Sequence, residues 1–176
     1  YYPDGTPGKW NDYYPTQEPK ENPVHMLNNT FNYSHNKHVL VNMGLDFNIA
    51  KDLVLTVNGS YNTRNYRNDY FANKGLNNWS DTENNGSVEH QDVTRWSNED
   101  YLTYNPTFFD GKWKSNFVLG ASWYYYTWEQ AKASAANVPN EKYQWHNLGT
   151  GTTRKGGTSG YDKQTMNSYY FRTNHT

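Results

Sequence analysis

Residues 39–49 and 53–63 alternate apolar and polar side chains, and only the turn Ala50-Lys51-Asp52 separates the two runs. In the first run Val39, Val41, Met43, Leu45, Phe47 and Ile49 share one face, while His38, Asn42, Gly44, Asp46 and Asn48 share the other. Leu40 alone departs from the pattern. Successive side chains of a β-strand point to opposite faces, so the pair predicts a β-hairpin with one apolar and one polar side. No charge interrupts the apolar side. Each run is about ten residues long, the length a tilted strand needs to cross the hydrocarbon layer of a bilayer. The hairpin therefore predicts a piece of an outer-membrane β-barrel.

Composition agrees with that reading once the polar lumen and loops of a barrel are allowed for. A mean hydropathy of -1.13 would ordinarily indicate a soluble or disordered chain, but barrels dilute a weak apolar signal among polar residues. Aromatic residues make up 18% of the chain, with 17 Tyr and 7 Trp, whereas disordered chains are poor in aromatics. The formal charge is -1 with basic residues scattered along the sequence, which excludes the clustered basic surface of a nucleic-acid binder. There is no Cys, so disulfide frameworks and thiolate chemistry are excluded. No run is apolar enough for a transmembrane helix.

Long polar connections alternate with strand pairs along the sequence. Residues 1–36, rich in Pro, Asn and Tyr, read as a loop entering the first strand near His38. Residues 64–94 read as a long loop with turn formers at Asn77-Asn78-Trp79-Ser80-Asp81 and Asn84-Asn85-Gly86. A third strand is expected over 95–105 and a turn over 106–112. The return strand over 113–128 places Trp113, Phe117, Leu119, Ala121, Trp123 and Tyr125 on one face. A second long loop is expected over 129–164, and a fifth strand opens at Tyr169.

This predicts an all-β fold: an antiparallel, up-and-down transmembrane β-barrel segment of about five strands, with short periplasmic turns and long extracellular loops. Tyr61, Tyr66, Trp96, Trp113, Trp123 and Tyr125 stand at strand ends, where barrels carry aromatic girdles. A closed barrel takes at least eight strands, so residues 1–176 read as part of one barrel domain. A β-sandwich with one buried face generates the same alternation and remains the alternative.

Four stretches resemble the mid-barrel region of SusC/RagA-type TonB-dependent outer-membrane transporters of Bacteroidetes-like bacteria. They are Asn22-Pro23-Val24, Asn98-Glu99-Asp100-Tyr101-Leu102-Thr103-Tyr104-Asn105, Leu119-Gly120-Ala121-Ser122 and Tyr169-Tyr170-Phe171-Arg172-Thr173-Asn174. Their order and spacing carry the resemblance, and Phe171 stands where the family usually has a small residue. The resemblance implies energised uptake of oligosaccharides or peptides across the cell outer membrane. It further implies a plug domain outside these residues, a TonB complex and a SusD-like surface lipoprotein as partners, and no enzymatic chemistry or cofactor.

The candidate ligand contacts are aromatic residues of the long loops. Trp79 with Asn77 and Asp81, and Trp145 between Gln144 and His146, each set an apolar ring among polar groups, as a sugar-binding surface does. The same rings could pin loops or hold a lid protein. Catalytic and metal signals are weak. His35 and His38 fall on opposite strand faces, the acidic pairs Asp81/Glu83 and Glu99/Asp100 come without a defined separation, and Gly149-Thr150-Gly151 through Gly156-Gly157 lacks a phosphate-loop pattern and reads as flexible loop. A secreted, aromatic-rich carbohydrate-binding β-sandwich is the alternative function.

Overall fold

The computed structural model describes residues 23–75 and 83–176. Among them a short helix α1 (Pro23–Asn29) leads into β1 (Thr30–Ala50) and β2 (Leu53–Ala72). Then come β3 (Asn85–Tyr104), β4 (Thr107–Phe108), β5 (Trp113–Ala136), a kinked 3-10 helix (Glu141–Thr150) and β6 (Thr153–His175). The hydrogen-bonded order is β1-β2-β3-β5-β4, with β6 also on β5. The sheet is antiparallel, as expected. β4 continues the line of β3 beyond Pro106, which has no N–H for the ladder. It sets Thr107 opposite Lys114 and Phe108 opposite Trp113.

The strands are about twice as long as their alternation suggests. β2 runs on to Ala72 and β3 starts at Asn85, where a loop over 64–94 is expected. β5 runs to Ala136 and β6 starts at Thr153, so most of the expected second loop is also strand. That includes Gly156-Gly157, expected in a flexible loop, with Gly156 at φ 86°. Likewise β1 starts at Thr30 rather than near His38. The physical reason is common to all three: alternation reports a difference between two environments, whereas a backbone ladder forms just as well where both faces are polar.

The chain divides into two compact units. The first comprises Tyr1–Asn36, Tyr66–Gln91 and Gln130–Ser159, and the second Lys37–Asn65, Asp92–Glu129 and Gly160–Thr176. In the first unit Phe71, Ala72, Ala135, Ala136 and Val138 form a small buried cluster. Its centre is polar: Asn84 is fully buried, donates to the Val138 carbonyl at 2.8 Å and to Glu141 Oε1 at 3.2 Å, and accepts from the Val138 N–H at 2.7 Å. Gly86 is required beside it, because a Cβ there would meet Leu148 Cδ2 at 2.6 Å and Phe71 Cδ2 at 2.8 Å. Helix α1 is tied down by Asn29, whose carbonyl accepts from the Asn73 N–H and whose side-chain oxygen accepts from Asn73 Nδ2.

The second unit has an inverted distribution. Val39, Val41, Met43, Leu45, Phe47 and Ile49 are all between 46% and 64% exposed. Buried positions there include Thr56, Ser115 and Val118. On β5 the neighbours Val118 and Leu119, both apolar, are 7% and 59% exposed, so the larger of the two lies on the open side. No water-facing sheet of a sandwich is arranged this way.

Asn84→Ala would leave the Val138 N–H and carbonyl without their side-chain partner, at roughly 1–3 kcal/mol. The expected outcome is faster amide exchange over residues 137–150, with residues 39–63 unchanged. Equal protection in both proteins would remove Asn84 as the anchor.

Candidate functional site

The second unit presents two faces of opposite chemistry, and strand parity assigns every residue to one of them. On the apolar face, ring contacts collect at two levels. At one level Trp96 and Tyr125 stack at 5.6 Å with 15° between their planes, and the Lys163 ammonium lies 5.4 Å from the Tyr125 ring centre. At the other, Phe117 lies 6.3 Å from Tyr104 and 5.6 Å from His175, and Trp113 lies 5.9 Å from His175. Trp113 and Tyr125 are twelve residues apart on β5, roughly 40 Å along the strand. A barrel strand is tilted, which reduces this to about 30 Å across the layer, close to the height of a lipid-facing band with its girdles. Tyr66 is the exception among the expected girdle residues: it shares a face with Ser34 and Asn68, through Ser34 Oγ, rather than with Tyr61.

The polar face is laced by side chains that reach across strands. Thr56 Oγ1 donates to Asp46 Oδ1 at 2.6 Å, His38 Nε2 lies 2.9 Å from Asn62 Oδ1, and Asn116 Nδ2 donates to Asn105 Oδ1 at 2.7 Å. Asn65 donates to Asp92 in the same manner. Arg95 stands 5.1 Å over the Tyr126 ring. The longest reach is that of Tyr170, whose hydroxyl donates to Glu99 Oε1 at 3.0 Å from β6 to β3, across β5. Gly120 makes that crossing possible, because a Cβ there would run into the Tyr170 ring. Glu99 and Asp100, adjacent in sequence, lie on opposite faces, which dissolves their reading as an acid and base pair.

Trp145 sits on the 3-10 helix of the first unit, half-buried, with ring centroids 5.1 Å from Tyr33 and 5.1 Å from His146. Its indole N–H is buried without a hydrogen-bond acceptor among the described residues. Asn77, Trp79 and Asp81 lie outside the described residues. Glu83, weighed as one of an acidic pair with Asp81, accepts from Asn137 Nδ2 at 2.6 Å and Thr153 Oγ1 at 3.2 Å, which gives it a structural task. No group of three or more metal-ligating side chains occurs among the described residues.

Sequence reasoning missed Asn84, Gly120 and the Glu99–Tyr170 pair. Asn84 resembles any turn former, and Glu99 and Tyr170 are 71 residues apart. The available signal was parity together with a glycine in the middle of a strand.

The sequence matches no protein-family profile and no curated protein. Solved structures do match. The RagAB peptide transporter superposes with a TM-score of 0.81 at 14% identity, over 92% of this chain and 18% of that one. The RagAB peptide importer in its open-open state gives 0.82 at 15% identity, over 93% and 18%. Its closed-closed state gives 0.79 at 14% identity, over 89% and 17%. The fold is that of a SusC/RagA-type barrel segment. At these identities the likeness concerns fold, and this segment spans less than a fifth of the solved chains.

Within this sheet Gly120 is a notch for a ring that crosses the strand. Gly120→Ala in the full-length protein should lower unfolding free energy by roughly 1–3 kcal/mol, through overpacking against Tyr170. Tyr170→Ala in the same background removes the clash, so the two effects should be strongly non-additive. Simple additivity in denaturant unfolding would contradict the notch.

Proposed function

We propose that this chain is wall and extracellular-loop sequence of a TonB-dependent transporter of the cell outer membrane, one that takes up oligosaccharides or peptides. The observation that carries the proposal is the exposed apolar band of the second unit, bounded by rings at two levels. In water such a face is a liability; in lipid it is solvated. The RagAB fold likeness supports the same reading and suggests a SusD-like surface lipoprotein as partner. Residues 1–176 then form part of a single barrel domain, with a plug and TonB contacts elsewhere in the transporter.

In this reading the polar face lines the lumen, and the Lys51–Asp52 and 109–112 turns are periplasmic. The loops holding Trp79 and Trp145 then face outward, where Trp79, Asn77, Asp81 and Trp145 meet substrate or lid. A secreted carbohydrate-binding sandwich would instead have to cover the open face of β1, whose six apolar side chains are exposed.

Two measurements test the proposal. Val57 shares the apolar parity and Asn58 the polar one, since Gly44 and Asn58 adjoin on the polar face. Val57→Arg near the bilayer midplane should cost roughly 2–4 kcal/mol of folding free energy in lipid, and Asn58→Arg far less. Equal costs would contradict the assignment of faces. Separately, a Cys at exposed Tyr143 should react with an impermeant maleimide on intact cells; reaction only after the outer membrane is breached would reverse the topology.

A further inference from the structure

On the open face of β1 the apolar side chains end at Val39, and Lys37 takes the next position of the same parity. Register sets the level of that end. The Thr56–Asp46 bond and the approach of Gly44 to Asn58 place Val41 beside Tyr61, and the approach of Gly59 to Asn98 places Tyr61 beside Trp96, which stacks on Tyr125. Val41, Tyr61, Trp96 and Tyr125 thus form one row. The Ser115–His175 contact sets Thr165 opposite Tyr125. Lys163 therefore lies two residues further from the 106–112 turn, and it leans back until its ammonium is 5.4 Å from the Tyr125 ring centre. Lys37 and Lys163 are exposed, and neither forms an ion pair among the described residues. Glu129, the nearest acid by register, stands opposite Tyr161, on the far side of Lys163 from the ring. At the other ring level the basic neighbour is the His175 imidazole.

We propose that Lys163 over Tyr125, and Lys37 at the end of β1, each bind a phosphate group of lipid A, the anchor of lipopolysaccharide in the outer leaflet. The proposal rests on the outer-membrane reading, which puts the short turns in the periplasm and this row of rings at the outward boundary of the hydrocarbon. Two fixed cations then stand just past that boundary. Lys37 lies four residues beyond Val41, roughly 13 Å along a tilted strand, and its stem can fold back over Val39. The Tyr125 ring holds the Lys163 ammonium at the boundary by cation–π attraction and leaves N–H groups for charge-assisted bonds to phosphate oxygens. A small anion free in water would use the cations alone. A phosphorylated lipid uses the cations for its headgroup and the apolar face beneath them for its acyl chains, so the continuity of the two chemistries selects it. β1 and β6 are four strand spacings apart in the sheet, roughly 19 Å, so each lysine holds its own lipid.

The test uses the full-length protein with p-benzoylphenylalanine in place of Tyr161, which is 62% exposed and shares the parity of Lys163. It is reconstituted in phosphatidylethanolamine nanodiscs that carry a small fraction of bisphosphorylated lipid A, dephosphorylated lipid A or phosphatidylglycerol, and photoadducts are counted by intact-protein mass. Bisphosphorylated lipid A should give roughly five times as much adduct as the dephosphorylated form, the weight of one basic residue at an anionic surface. Lys163→Gln should remove that excess, and Lys163→Arg should retain it. An excess that survives Lys163→Gln, or an equal excess with phosphatidylglycerol, would overturn the proposal. A second photoprobe in place of Phe171, 63% exposed and on the same face, separates this failure from failure of the membrane reading. It should capture phosphatidylethanolamine whichever minor lipid is present. Absence of lipid adducts at both positions, with the barrel still folded by its heat-modifiable gel mobility, would remove the membrane reading and this proposal with it.

Discussion

A backbone that enters hydrocarbon must find all its hydrogen-bond partners within protein, because lipid offers none. Under the proposed function that requirement accounts for the long unbroken strands and the lateral order β1-β2-β3-β5-β6. It explains why Pro106, which cannot donate, falls at the short-turn end of β3. With the backbone satisfied by the sheet, the side chains of the second unit are free to sort by environment alone. On β1 apolar residues take one face and amides and Asp46 the other, while elsewhere in the unit Lys163 and Asp100 stand on the apolar side and the Tyr126 and Tyr170 rings on the polar side. The second unit consequently has no conventional core. Its cohesion comes from the ladder and from cross-strand pairs such as Thr56–Asp46 and Tyr170–Glu99.

The first unit solves a different problem. Its strand ends are largely polar, and the apolar side chains it buries are few and small apart from Phe71. Amide and carboxylate side chains take over the role of a core there. Asn84 holds Val138 and Glu141, Glu83 holds Asn137 and Thr153, and Asn29 holds Asn73. These contacts give the 137–152 connection a defined path in spite of its glycines. Gln144 and Asn147 break the regular 3-10 geometry, and Trp145 between them turns onto Tyr33. A connection built this way holds the Trp145 ring in a fixed position against Tyr33 and His146.

How much was legible in the sequence follows from the same physics. The hairpin over 39–63 was readable to the residue, since Val39 through Ile49 separate two unlike environments and parity exposes the difference. The aromatic levels at Trp96/Tyr125 and Trp113 were readable for the same reason. The continuations of β2 to Ala72 and of β6 back to Thr153 were not, because their faces are alike and a ladder leaves no mark on composition. Asn84 and the Glu99–Tyr170 pair were invisible for another reason: each depends on partners brought together by strand order. The resemblance in four short motifs survived at the level of fold. Two of those motifs, Leu119-Gly120-Ala121-Ser122 and Tyr169 through Asn174, meet physically at the Gly120 notch.

The central claim is that hydrocarbon solvates the odd-numbered face of β1 and water the even-numbered one. A nitroxide scan of residues 39–49 in the full-length protein reconstituted in bilayers measures this directly, by comparing relaxation by oxygen with relaxation by a water-soluble nickel chelate. Oxygen accessibility should peak at Val39, Val41, Met43, Leu45, Phe47 and Ile49 and fall between them. Nickel accessibility should follow the opposite phase. Low accessibility to both reagents at the odd positions would mean that protein covers this face, and would contradict the account.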